Sequence, residues 1–283
     1  FYVQGTEHSG TMWPGSRAGL LLLVCCVSRL QAVRIASEGR GRGGTVGGDD
    51  CTCLPWKEVY ESRGVTCGQG LEYFHATKGG MPWEQANRML GDEFCRRFFE
   101  RIPDAFCLNT DLNGGSPIAE RQWCYVSPQC TRLDGGRRVP GVAISWKLCR
   151  AGEDDLLGSR TPEELDGLRA SRQLALGLLA KYAYHIWRPE RWPAVEGFFL
   201  GRSEQPRIDL EQLVDSDRTV LFDSASGHPP FHVVTGGLVY KIDFKPGGHK
   251  AYRERRMGEV TGLECIRGCD SSGALPEPGY GGV

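Results

Sequence analysis

The chain has almost no net charge. Its 34 basic and 35 acidic residues leave −1 at pH 7. Such a balance sets up no long-range field that would gather nucleic acid or an anionic membrane. The basic run Arg253-Glu254-Arg255-Arg256 is short and reads as a solvated face. Long hydrophobic runs are also missing. The unbroken apolar stretch Leu20 to Val27 falls well short of the roughly 20 residues a membrane-spanning helix needs. There is no Gly-x-Ser-x-Gly elbow and no Cys-x-x-Cys pair, which removes the usual signatures of an α/β-hydrolase and of a thioredoxin-type redox site. His228 and His232 flank Pro229-Pro230, so they cannot share a helix face as the ligands of zinc proteases do. Asp223, Ser224, Ser226 and His228 are neighbours in sequence only, and the stretch reads as a turn. No internal repeat is visible.

Among the features present, the first is a leader. Arg17 provides a basic segment after Met12, Leu20 to Val27 an apolar one, and Leu30-Gln31-Ala32 a small-residue cleavage site. This is the layout of a secretory signal peptide, so residues 1–32 are expected to be leader and upstream sequence. Residues 33–50 hold Arg34, Arg40 and Arg42 among Gly, Ser and Thr and read as a linker. The alternative is a transit-like segment that would redirect the protein to a plastid through a bipartite leader.

Twelve cysteines then gain meaning. Cys25 and Cys26 fall in the leader; the others are Cys51, Cys53, Cys67, Cys95, Cys107, Cys124, Cys130, Cys149, Cys265 and Cys269. In a reducing cytosol such density would indicate metal binding, but behind a signal peptide it indicates disulfides. Spacing alone does not select the pairing. Cys51 and Cys53 are too close to bond each other comfortably, so each is expected to find a distant partner. Cys67 is likewise expected in a disulfide rather than as a nucleophile.

The fold class expected is α+β: a small disulfide-rich domain over residues 51–150, an α+β unit over 151–250 and a flexible tail over 251–283. In the first, Met89, Phe94, Phe98 and Ile102 recur at near-helical spacing and predict a helix from about Pro82 to Arg101. Val142, Ile144, Trp146 and Leu148 alternate and predict a half-buried strand. In the second, Thr161, Pro162 and Glu164 form a capping box ahead of a helix expected to run to about Ile186. Helices over 192–200 and from Asp209, and strands over 219–222, 231–234 and 238–244, complete it. Thr235-Gly236-Gly237 is expected to close a hairpin between the last two strands.

Two motifs overlap around one loop. Asn109, Asp111, Asn113 and Glu120, with Gly114 at the tight turn, match the spacing of an EF-hand calcium loop, which uses hard oxygen ligands closed by a bidentate carboxylate. An ordinary Asn-Gly turn is the competing reading. The same region, Cys107-Leu-Asn109-Thr-Asp111, then Arg121-Gln-Trp123-Cys124-Tyr125-Val126 and Cys130, resembles the second half of a kringle or fibronectin type II module, and Cys67-Gly-Gln-Gly-Leu-Glu-Tyr73 resembles a kringle opening. The resemblance covers residues of about 67–130 and departs in spacing and in the extra Cys95. It implies a module that binds proteins, lysine side chains or matrix through an acidic pair and aromatics; here Asp111 alone lies near a matching acidic position, with Trp123 and Tyr125 as the aromatics and Arg121 as a further candidate binding residue. Packing of Trp123 and Tyr125 on the disulfides is the alternative.

The sequence therefore points to a secreted or lumenal, non-enzymatic binding protein with a protein or glycan ligand, no nucleic acid and no transmembrane span in the mature chain. No cofactor is expected beyond the calcium loop. Two other expectations stand beside it: an accessory subunit of a lumenal or plastid membrane complex, and an enzyme with its site between the two domains.

Overall fold

A computed structural model describes residues 50–114, 116–202, 208–215, 218–254 and 260–269. The leader, most of the linker and the end of the tail lie outside the described residues. Helices α1 (Trp56–Ser62), α2 (Phe74–Thr77) and α3 (Trp83–Leu90) open the fold. Strands β1 (Leu108–Asn109), β2 (Gln122–Val126), β3 (Arg137–Arg138) and β4 (Ser145–Leu148) form an antiparallel sheet in the order β1-β2-β4-β3. Next come α4 (Pro162–Arg172), α5 (Leu176–Ala183), β5 (His185–Trp187), α6 (Trp192–Phe199), α7 (Ile208–Asp215) and β6 (Val220–Phe222). The chain closes with β7 (Phe231–Thr235), β8 (Leu238–Phe244), α8 (Gly248–Arg253) and β9 (Thr261–Arg267). The second sheet has the order β5-β6-β7-β8-β9, with β5 parallel to β6 and the rest antiparallel. The class is α+β with several disulfides. Among the described residues no helix is long and apolar enough to cross a membrane.

Local chemistry explains most elements. Thr161 accepts the amide of Glu164 at 3.2 Å, the Glu164 carboxylate accepts the amide of Thr161 at 2.8 Å, and Pro162 opens α4 without needing its missing N–H. The helix stops earlier than the periodicity predicts. Gln173 turns left-handed at φ 54°, and α5 starts anew three residues on. The β7–β8 turn is made by Gly236 and Gly237 at φ 53° and 80°, both in the region where a side chain is disfavoured.

The helix predicted over 82–101 is also divided. After α3 the backbone widens into a π-turn, Gly91–Arg96, followed by a 3₁₀ turn at Phe99–Arg101. The extra residue per turn shifts the apolar stripe. Phe94, Phe98 and Ile102 point inward, while Met89 is 44% exposed. In the strand predicted from Val142, β4 begins at Ser145 and all four of its residues are buried, because it is central in its sheet and Lys147 pairs with Asp154 at 2.7 Å.

One hydrophobic core runs through both sheets, from Cys51 and Trp56 through Trp123 and Leu148 to Leu179, Phe231 and Ile242. Trp56 is fully buried at its centre. Its ring meets Phe99, Trp123 and Tyr125 at centroid distances of 5.1, 4.9 and 5.6 Å, and its indole N–H donates to Phe106 O at 2.8 Å. Disulfides pair Cys51 with Cys130, Cys53 with Cys124, Cys67 with Cys95, and Cys107 with Cys149. Cys51 and Cys53 thus take distant partners, and the first two links clamp the segment before α1 onto the middle of β2 and the loop after it. Cys265, on β9, and Cys269, two residues past its end, lie close together.

Candidate functional site

A concavity formed by described residues lies along the β1 edge of the first sheet and the β5 edge of the second. It is a cleft of about 520 Å³ whose walls include Glu120, Arg160, Tyr184, His185, Arg218 and Thr219. Its floor is a polar clasp. Asn109, on β1, donates from Nδ2 to the carbonyls of Lys181 at 2.9 Å and Tyr184 at 2.8 Å. Gln122, paired with it across the strands, donates to Asn109 Oδ1 at 3.0 Å and to Ala183 O at 2.9 Å. These carbonyls belong to the end of α5 and the residue after it, where helical partners run out. The two amides therefore cap α5 and fix the strand that follows it, so His185 is held at the cleft.

Three charged side chains meet on one wall. Glu120 lies 3.0 Å from Arg218 Nη2 and 3.5 Å from His185 Nδ1. Burial lowers the His185 pKa, and the neighbouring Arg218 and Arg188 cations reinforce this against the pull of Glu120. At neutral pH the imidazole is therefore uncharged and offers a hydrogen-bonding edge rather than a cation. The wall hydroxyls are already engaged. Thr161 caps α4, Ser159 donates to Leu156 O at 2.7 Å, and Thr219 and Thr235 share a 2.8 Å hydrogen bond. Arg160 pairs with Asp155 at 2.8 Å. The arrangement is rich in donors and acceptors and suits recognition of a polar molecule.

The residues singled out in the sequence fall in different surroundings. Asn109 and Glu120 both line the cleft. Asp111 is buried elsewhere: it pairs with Lys78 and accepts the amide of Asn113 at 2.9 Å in an Asx turn. Asn113 donates its side-chain amide to His75 O at 2.9 Å. Each of the four oxygen-bearing residues of the calcium spacing thus already has a protein partner. Trp123 and Tyr125 are fully buried, packed on Trp56. Arg121 is exposed beside them.

Two buried polar clusters escaped the sequence reading. Glu72 is completely buried and accepts hydrogen bonds from Tyr60 OH at 2.8 Å, Tyr125 OH at 2.7 Å and Gly70 N at 3.0 Å, while Tyr182 OH donates to its backbone oxygen at 3.2 Å. Burial raises its pKa, although the same three donors pull it back. Lys181 pairs with Asp223 at 3.0 Å, donates to Gly227 O at 2.8 Å and lies 4.6 Å over the Phe231 ring, pinning the loop before β7 to α5. Burial lowers its pKa. Both clusters join residues far apart in sequence, so no local spacing announces them. His185 and Arg218 were missed for the same reason.

No family model matches the chain, no curated protein matches it and no solved structure matches it.

Proposed function

We propose that this chain is a non-enzymatic binding protein of the secretory pathway. In this reading residues 51–150 are a disulfide-stapled, kringle-like module, and residues 151–250 are an α+β unit that shares its core. The cleft beside β1 and β5 takes a polar ligand, a glycan or a polar segment of a protein. The carrying observation is the wall on which Glu120, His185 and Arg218 converge over the Asn109–Gln122 clasp. A carboxylate, a neutral imidazole and a guanidinium together match the mixed donors and acceptors of hydroxyl- and amide-bearing ligands. Engagement of the Thr161, Ser159 and Thr219 hydroxyls favours binding over nucleophilic chemistry. The β1–β2 side of the cleft is tied by Cys107–Cys149 and Cys53–Cys124, so that side loses little conformational entropy when a ligand docks. The signal-like leader and the disulfides support an oxidising compartment.

The test is a screen of the oxidised protein against arrayed glycans and polar peptides, repeated with Glu120→Gln and Arg218→Ala. The reading expects a ligand class retained by the wild type and weakened at least tenfold by each substitution. Ligands held equally by all three proteins would refute this cleft as the site.

A further inference from the structure

Two of the disulfides touch each other. Cys53 Sγ lies 3.6 Å from Cys107 Sγ, and the sulfurs of Cys53, Cys107, Cys124 and Cys149 all lie within 4.8 Å of one another. Their access to solvent differs. Cys107 and Cys124 are fully buried and Cys149 nearly so, at 5% exposed, whereas Cys53 is half-buried. Cys53 lines a second cleft, of about 230 Å³, whose walls also hold Arg132, Lys147 and Asp154. Its charges do not draw a thiolate in, since Lys147 pairs with Asp154, Arg132 pairs with Glu153, and Asp155 adds a third carboxylate, so access to Cys53 rests on its exposure alone. An attacking thiolate must reach a disulfide sulfur directly. In this cluster only Cys53 is open to that approach.

We propose that Cys53 is an exchange site for a dithiol, and that the four cysteines work as one relay in which the incoming electron pair ends on Cys124 and Cys149. The dithiol's thiolate attacks Cys53 Sγ, forms a mixed disulfide and expels Cys124 as thiolate. The dithiol's second sulfur closes on the first, leaving as a cyclic disulfide and freeing Cys53 as thiolate; its proton passes to Cys124. Cys53 then attacks Cys107 Sγ, 3.6 Å away. A Cys53–Cys107 bond forms, the Cys107–Cys149 bond breaks, and Cys149 leaves and takes the second proton. The dithiol is oxidised by two electrons, one disulfide has become two thiols, and one cross-link survives in a new place. A dithiol partner thereby changes how β2 and the segment after β4 are tied without releasing the segment before α1.

The test uses the full chain without substitutions. The oxidised protein is titrated with dithiothreitol, trapped by alkylation at each step and mapped by mass spectrometry. The exposed Cys265–Cys269 pair is read separately. Among the eight cysteines from Cys51 to Cys149, the relay predicts that Cys124 and Cys149 take label first and together, at equal occupancy, with a peptide joined through Cys53–Cys107. First labels on Cys53 and Cys124 with Cys107–Cys149 intact would overturn the relay. Prior opening of Cys51–Cys130 or Cys67–Cys95 would overturn Cys53 as the entry point.

Discussion

Replacing Glu72 by alanine should be among the costliest single changes in the protein. The carboxylate is completely buried and is the acceptor for Tyr60 OH, Tyr125 OH and the Gly70 amide. Alanine leaves three buried donors without a partner, at about 1–3 kcal/mol each. Allowing for relaxation, a loss of about 3–6 kcal/mol follows, with disulfides intact. Glutamine keeps one oxygen for the tyrosines but sets an NH₂ donor against the Gly70 amide, so a loss of about 1–3 kcal/mol is expected. The pH dependence has a definite sign. Glu72 has a raised pKa in the fold, so the folded state holds this proton more tightly than the unfolded chain. Its contribution is full below the ordinary value of 4.5, shrinks as pH rises to the folded pKa and is level beyond it. Within that window the slope approaches about 1.36 kcal/mol per pH unit, and Glu72→Gln should remove it. Urea unfolding of wild type, Glu72→Gln and Glu72→Ala across acidic to neutral pH measures both effects. An alanine variant within about 1 kcal/mol of wild type would refute the reasoning, as would a Glu72→Gln curve parallel to the wild type through the window.

Other changes have smaller or more local consequences. Trp56→Ala empties the centre of the aromatic cluster and orphans Phe106 O, so a loss of about 3–5 kcal/mol is expected in denaturant unfolding. Thr161→Ala removes one half of the capping box and should cost about 1 kcal/mol in the same measurement, rescued by Thr161→Ser. Calcium at millimolar concentration should leave the melting temperature unchanged, because Asn109, Asp111, Asn113 and Glu120 are each engaged by protein groups; a rise on calcium addition would contradict those contacts.

Where one residue's chemistry dictates the backbone, the sequence was readable. Thr161 with Glu164 marks the start of α4, and Thr235-Gly236-Gly237 marks the β7–β8 hairpin, with Thr235 itself closing β7 rather than lying in the turn. Cys51 and Cys53, too close to bond each other, did take distant partners. Where an element depends on distant neighbours, the pattern was silent. β9 lies in a stretch read as tail; its residues join the sheet through pairing with β8, and their alternation is weak because one face is partly exposed. β5 is three residues long and hidden at the end of a helical pattern; its strand geometry comes from β6 beside it. Met89 carried the right period for a core residue, but the π-turn after α3 rotates the stripe away from it. Asn109 and Glu120, which the calcium spacing singles out, line the cleft alongside Arg218 and His185, which come from other elements. Convergence of strand ends from two sheets leaves no linear spacing to detect.

The loops closed by the four disulfides between Cys51 and Cys149 span sequence separations of 79, 71, 42 and 28 residues. On the loop-entropy account each contributes about 3.6–4.5 kcal/mol, against a net stability of about 5–15 kcal/mol for a typical domain. Thermal unfolding of the oxidised protein beside the same protein fully reduced and alkylated measures that dependence directly. We expect a cooperative transition with the cross-links in place and none above 37 °C once they are opened. A reduced protein that melts cooperatively at the oxidised temperature would contradict the claim that these sulfur bridges hold the fold.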